Sequence, residues 1–245
     1  MGMREGLQWA ALGTLSTFTM TALGAGTVFF LAGEGQGRWQ KRMLGFAAGV
    51  MTAAAVWSLL LPAIERAEGM GLLPWLPAAA GTAAGAAFLA AMELVLEKRS
   101  GDHEGELLMA AITLHNIPEG MAVGLAFSLA AEGDTAAGAA ALALGVGLQN
   151  FPEGAAVSLP LAGQGRRKAF CRGVLSGAVE PVCGLLAVVF ASAATPAMPW
   201  LLSFAAGAML YVVAQELIPQ AQSRGGTCGY LIGFVLMMVM DIALG

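Results

Sequence analysis

The chain has 245 residues, 58% of them hydrophobic and 11% charged, with a mean hydropathy of +0.73. That composition excludes a water-soluble domain, and the 34 glycines suit close packing of helices in lipid. A net charge of −4 says little about partners, because in a membrane protein the information lies in which loops hold the charges.

Apolar runs of about 20 residues, long enough to cross a bilayer core of roughly 30 Å as a helix, occur eight times. In chain order they are Gln8 to Leu31, Met43 to Ile64, Leu72 to Leu96, Leu107 to Ala130, Thr135 to Ala162, Ala169 to Ala193, Trp200 to Ala221 and Thr227 to Leu244. A Thr195-Pro196 turn alone separates the sixth from the seventh. The first is too long for a cleavable signal and has no convincing small-residue cleavage site, so it is expected to stay in the mature protein. Residues 1–245 therefore read as one transmembrane domain, all-α and polytopic. The cysteines, Cys171, Cys183 and Cys228, show no metal-site spacing and no even count for disulfides, and read as packing residues.

Arginine and lysine set the orientation. Arg38, Lys41 and Arg42 follow the first segment, and Lys98 and Arg99 follow the third. Arg166, Arg167, Lys168 and Arg172 surround the start of the sixth, Arg224 precedes the eighth, and only Arg4 and Arg66 fall opposite. The positive-inside rule then predicts that both termini are extracytoplasmic. Phe46-Ala47-Ala48-Gly49-Val50-Met51 in the second segment returns as Phe204-Ala205-Ala206-Gly207-Ala208-Met209 in the seventh, with Pro62 matched by Pro219. Gly13, Leu15, Ser16, Gly24 and Phe30 match Gly173, Leu175, Ser176, Gly184 and Phe190 at a constant offset of 160. Copies an odd number of segments apart cross the membrane in opposite senses. Segments 1–3 and 6–8 are thus expected to form an inverted repeat around segments 4 and 5.

Those two central segments carry near-copies of one motif, Leu114-His115-Asn116-Ile117-Pro118-Glu119-Gly120 and Leu148-Gln149-Asn150-Phe151-Pro152-Glu153-Gly154. An acid at mid-helix in hydrocarbon costs about 2.5 kcal/mol or more, so the glutamates need a partner, and a cation is the obvious one. In each copy the first polar residue and the glutamate are four apart, on one helix face, and the proline between them has no N–H to give. The carbonyls of Leu114 and Leu148 should lose their donors, which predicts a helix break at membrane depth of the kind that marks transporter sites. Glu180-Pro181 in the sixth segment should do the same to the carbonyl of Gly177. At about 1.5 Å per residue, all three sit near mid-span.

Imidazole with carboxylate suits zinc, iron(II), manganese or cobalt, whereas a calcium site would be all oxygen. Met51, at similar depth in the second segment, reads either as a core methionine or as a soft ligand. Glu65 and Asp241, toward external helix ends, and Glu216, toward a cytoplasmic one, read either as solvated acids or as stations on a pathway. Glu93, the loop Asp102-His103-Glu104-Gly105-Glu106, and the turn holding Glu132 and Asp134 read as solvated.

His-Asn-x-Pro-Glu-Gly followed by Gln-Asn-x-Pro-Glu-Gly resembles the ZIP family of divalent-metal transporters, bacterial branch, and the resemblance covers the chain. It implies zinc, or cadmium, iron, manganese or cobalt, as the transported substrate, with no organic cofactor, carried toward the cytoplasm by alternating access. It also implies a two-metal centre. His115, Glu119, Gln149 and Glu153 would hold the first ion, Asn116, Asn150 and Glu180 the second, the glutamates would bridge, and Met51 would stand beside them. The resemblance brings Met51 closer to a ligand. Gln149 stands where many relatives have histidine, Asn150 where some have aspartate, and Gln215 where many have a histidine before Glu216.

The expected partners are divalent ions, the bilayer of the cell's inner or plasma membrane and a second copy of the chain, not nucleic acid. An enzyme is not expected. A membrane-embedded carboxylate-bridged metalloenzyme would need Glu-x-x-His on a pair of helices, and no His-Glu-x-x-His protease motif is present either. A proton-coupled carrier of an organic solute, using the same glutamates as relays, is the remaining alternative.

Overall fold

The computed structural model describes residues 3–30, 36–100, 104–132, 136–193 and 195–244. Among them the chain forms eight helical rods. These are α1 (Met3–Gly26), α2 (36–69), α3 (Trp75–Ser100), α4 (Glu104–Glu132), α5 (Ala136–Ser158), α6 (Arg166–Gly177 and Val179–Ala193), α7 (198–221) and α8 (Arg224–Leu244). Each falls on one of the eight apolar runs, although α1 ends at Gly26, α3 begins at Trp75 and α5 ends at Ser158, inside the runs expected there. Most reach a few residues further, because helical hydrogen bonding continues into the polar layer where apolar composition stops. Short 3-10 turns, Thr27–Phe29, Pro160–Gln164 and Thr195–Ala197, occupy three of the connections. Gly165, at φ 108°, supplies the left-handed residue from which α6 starts.

Five rods, α2, α3, α6, α7 and α8, are long and apolar enough to cross a membrane, counting described residues alone. In α1 and α5 the threonines and the Gln149 motif lower the average. Polarity is inverted relative to a soluble fold. Phe190 and Ile232 are each 63% exposed on the outside, while Glu119, Gln149, Asn150 and Glu180 are 0% exposed within. An outer surface of leucine, isoleucine and phenylalanine is what lipid requires, so this is a membrane protein.

The rods sort into two groups. Within α1, α4, α5 and α6 every pair is in contact. The other group is built on α2 against α8, α3 against α7, and α2 against α7. The groups meet chiefly through α2 with α5 and α4 with α7. Glycines set these approaches. A Cβ on Gly49 would collide with the carbonyl of Tyr230, and one on Gly233 with that of Phe46, which brings α2 and α8 into backbone contact. The same pair of contacts joins α7 and α3, where Gly207 faces the carbonyl of Thr82 and Gly85 that of Phe204. Helices α2 and α7 also share an irregularity, a π-helical stretch at Ala55–Leu60 and at Val213–Leu217. The rings of Pro62 and Pro219 exclude the carbonyls four residues earlier, those of Ser58 and Gln215, and both lie inside these stretches.

One expectation is corrected here. Helices α4 and α5 run continuously through Pro118 and Pro152, so the two motifs are not breaks. A single missing N–H is tolerated in a helix enclosed by neighbours. The break falls only in α6, at Ala178, directly after the Gly177 carbonyl that Pro181 cannot serve.

Candidate metal site

Helices α1, α4, α5 and α6 enclose a polar cluster in an otherwise apolar interior. Asn116 and Glu119 are three apart on α4, as are Asn150 and Glu153 on α5, so each motif presents an amide and a carboxylate from one face. The glycine that ends each motif lets the next helix in. A Cβ on Gly120 would strike the backbone of Glu180 on α6, and one on Gly154 the carbonyl of Thr21 on α1. Gly24 of α1 meets the carbonyl of Phe151 in the same way.

The amide nitrogens are all committed. Gln149 donates from Nε2 to Glu119 Oε1 at 2.6 Å, Asn150 from Nδ2 to Glu180 Oε2 at 2.8 Å, and Asn116 from Nδ2 to the carbonyl of Ser176 at 2.8 Å. That carbonyl belongs to the last turn before the break in α6, where helical donors run out. With each NH2 tied down, the amide oxygens are left over. Asn116 Oδ1, Gln149 Oε1 and Asn150 Oδ1 are buried without a donor, and so are Glu119 Oε2 and both oxygens of Glu153. Six buried acceptors in one cluster have nothing to accept from. An interior acceptor left unpaired costs about 1–3 kcal/mol, more when charged, so this arrangement needs something positive.

Electrostatics point the same way. Glu119, Glu153 and Glu180 are near enough for their charges to repel one another, and Glu216, entering from α7, acts on Glu153 as well. A divalent cation among them would supply the missing partner for the oxygens and the counter-charge for the acids. Among the described residues no three His, Cys, Asp or Glu side chains form a metal-binding group by themselves. The donor set here is half amide, and the side chain of His115, which stands on α4 beside Asn116, lies outside the described residues.

The remaining expected residues separate. Met51 is fully buried in the main core, among the residues that surround α2. Glu216 is half-buried in the π-helical stretch of α7, and its charge acts on Glu153. Asp241 accepts from Ser58 Oγ at 2.5 Å and leaves Oδ2 unpaired, whereas Glu65 is exposed. Glu93, read as solvated, instead accepts a hydrogen bond from Tyr211. Of the loop Asp102 to Glu106, Asp102 and His103 lie outside the described residues, as does Asp134.

Sequence reasoning missed Thr17 and Thr21. Their hydroxyls reach Glu180 Oε2 at 2.6 Å and Oε1 at 3.2 Å from α1. The signal was present, since Thr14, Thr17 and Thr21 recur at helical spacing on a buried face, but a threonine is equally served by its own helix.

A family model described as "ZIP Zinc transporter" matches residues 104–241. The chain is 38% identical to "Zinc transporter ZIP11" of Xenopus tropicalis, with 96% of each protein covered. It is 37% identical to "Zinc transporter GufA" of Myxococcus xanthus, with 93% of this chain and 95% of that one covered. It is 38% identical to "Zinc transporter ZIPB" of Bordetella bronchiseptica, with 97% of this chain and 82% of that one covered.

Proposed function

This chain belongs to the ZIP zinc transporter family, and from that membership we propose that it carries divalent metal ions, zinc foremost, across the membrane toward the cytoplasm. It is a transporter, not an enzyme. The observation that carries the reading is the set of six donorless acceptor oxygens on Asn116, Glu119, Gln149, Asn150 and Glu153, buried where α4 and α5 face α1 and α6. By its place in the first motif, His115 would add an imidazole to that donor set. A carboxylate pair with amide oxygens and one imidazole is a mixed donor set of moderate strength, suited to an ion that must also be released. Met51 and Glu216 lie on the helices facing this cluster, α2 and α7, and would receive or pass on the ion; Asp241 and Glu65 would stand at the external approach.

In this reading all eight rods span the cell membrane, both termini lie outside the cytoplasm, and residues 1–245 form one domain. The inverted repeat is supported by the recurring contacts. Gly49 with Tyr230 and Gly207 with Thr82 fall at offsets of 158 and 148, and Gly233 with Phe46 and Gly85 with Phe204 keep the same two offsets. A site between halves related in this way is built for alternating access. The test is uptake into proteoliposomes of zinc, cadmium, iron and manganese in turn. Zinc entry above that of empty liposomes is expected, and no entry of any of the four would refute the proposal.

A further inference from the structure

Where α2 and α8 begin and α7 ends, the three helices leave a groove between them. It has a volume of about 240 Å³ and is lined by Gly45 and Ala48 of α2, Ile218 and Ala221 of α7, and Thr227 and Tyr230 of α8. Each pair is three apart, so each helix contributes one face. The floor is a backbone contact, since a Cβ on Gly45 would strike the carbonyl of Gly226. The mouth is open, with Ile218 48% exposed and Thr227 exposed. Thr227 Oγ1 is already bonded to the carbonyl of Ser223 at 3.1 Å, so the groove offers mainly a surface for hydrocarbon.

Positive charge stands at its rim. Lys41 and Arg42 precede Gly45 by one turn of α2, and Arg224 opens α8. Lys41 Nζ reaches across to the carbonyl of Gln222, a residue of the rim, at 3.5 Å. Arg42 lies along α8, where a Cβ on Gly225 would come within 2.9 Å of its Nε. All three side chains are exposed, and among the described residues none has a carboxylate partner. The N-terminus of α8 adds its positive dipole end at the same level.

We propose that this is a binding site for an anionic phospholipid, whose phosphate diester is held by Lys41, Arg42 and Arg224 and whose acyl chain lies in the groove between α2, α7 and α8. Charge selects the headgroup. Three cations without an acid among them favour a lipid of net negative charge over a zwitterionic one, whose ammonium they repel. Apolarity selects a lipid over a free phosphate, which would leave the groove unfilled. From Lys41 to Ala48 is about 10 Å along α2, at roughly 1.5 Å per residue, so a chain attached to a phosphate at the rim enters the groove in the direction in which lipid chains run. The bound lipid ties the last turn of α7 to α2 and α8.

The test is native mass spectrometry of the full-length protein in detergent, titrated with phosphatidylglycerol or with phosphatidylcholine of the same chains. Wild type is expected to retain one phosphatidylglycerol in preference to phosphatidylcholine. Lys41→Gln/Arg42→Gln/Arg224→Gln should weaken it by about fivefold for each cation removed, on the order of a hundredfold in all. Arg166→Gln/Arg167→Gln/Lys168→Gln, which takes the same charge from the start of α6, should bind as wild type does. Thr227→Phe keeps the charges and fills the mouth of the groove, and should weaken retention about tenfold; it carries the test should the first triple variant fail to fold. Equal retention of the two lipids by wild type, equal loss in the two triple variants, or wild-type retention in Thr227→Phe would overturn the site. Displacement of the lipid by an equal concentration of glycerol phosphate would overturn it too, by showing that the groove contributes nothing.

Discussion

The two groups of helices share a packing device and put it to different uses. In α2, α3, α7 and α8, glycines bring backbones together around an apolar interior in which Met51, Leu59, Leu202 and Met209 are fully buried. Polar contacts between these helices include the separate hydroxyl-to-carboxyl pairs Tyr211 with Glu93 and Ser58 with Asp241. In α1, α4, α5 and α6 the same close approach, at Gly24, Gly120 and Gly154, encloses threonines, amides and carboxylates. The first group spends its glycines on cohesion alone. In the second they seal a polar cluster in which donors run out before acceptors do, and that imbalance is the chemical content of the site.

The largest expected effect separates the groups by charge. Glu153→Ala and Glu119→Ala should each abolish measurable zinc binding and uptake while the protein keeps its elution volume in detergent, because each removes an internal charge and no backbone bond. Wild-type zinc affinity in either variant by isothermal titration would place the ion elsewhere. A smaller effect separates the groups by packing. Gly154→Ala and Gly207→Ala both force a methyl against a carbonyl and should each cost about 1–3 kcal/mol of stability, read as a lowered melting temperature. Only Gly154→Ala should also weaken zinc binding, since it moves α1 and Thr21 against the site. Equal zinc affinity in the two variants would mean that packing and site are independent.

Much of this architecture is legible in the sequence, for reasons that differ by feature. The eight rods follow from length and apolarity, which lipid enforces on every helix without reference to its neighbours. The motif residues stand out because an acid in an apolar run is costly wherever it packs. Partners are another matter. Nothing in the spacing of Thr17 and Thr21 says that a carboxylate 159 or 163 residues away faces them, and nothing in Tyr211 points to Glu93. The breaks expected at Pro118 and Pro152 fail for the same reason: a proline removes one donor locally, and whether the helix parts depends on what encloses it. In α6 a glycine, Gly177, precedes the break, and there the helix does part.

A third prediction sharpens the donor imbalance. Gln149 donates from Nε2 to Glu119 and leaves its oxygen open, so Gln149→His replaces a carboxamide with imidazole at a position already oriented by an acid. A carboxylate that accepts from one ring nitrogen leaves the other free for metal and makes it more basic. Zinc affinity should rise roughly tenfold, about 1.4 kcal/mol, and uptake should slow as release becomes harder. Unchanged affinity would show that Gln149 Oε1 does not face the ion.

The smallest effect comes from the first group. Tyr211→Phe deletes the hydroxyl that Glu93 accepts from and leaves the ring, which packs against the main core, in place. Interhelical hydrogen bonds in membrane proteins average about 0.6 kcal/mol, because the separated helices also find partners. Glu93 is half-buried, so once released its carboxylate can turn toward water, which keeps the loss near that average. The melting temperature should therefore fall slightly, and zinc affinity and uptake should stay within twofold of wild type. The informative outcome is the zinc measurement. If the variant bound zinc several-fold more weakly, the α3–α7 contact would be coupled to the cluster around Glu119 and Glu153 across the α4–α7 boundary, and the division of the molecule into a cohesive group and a polar one would have to be given up.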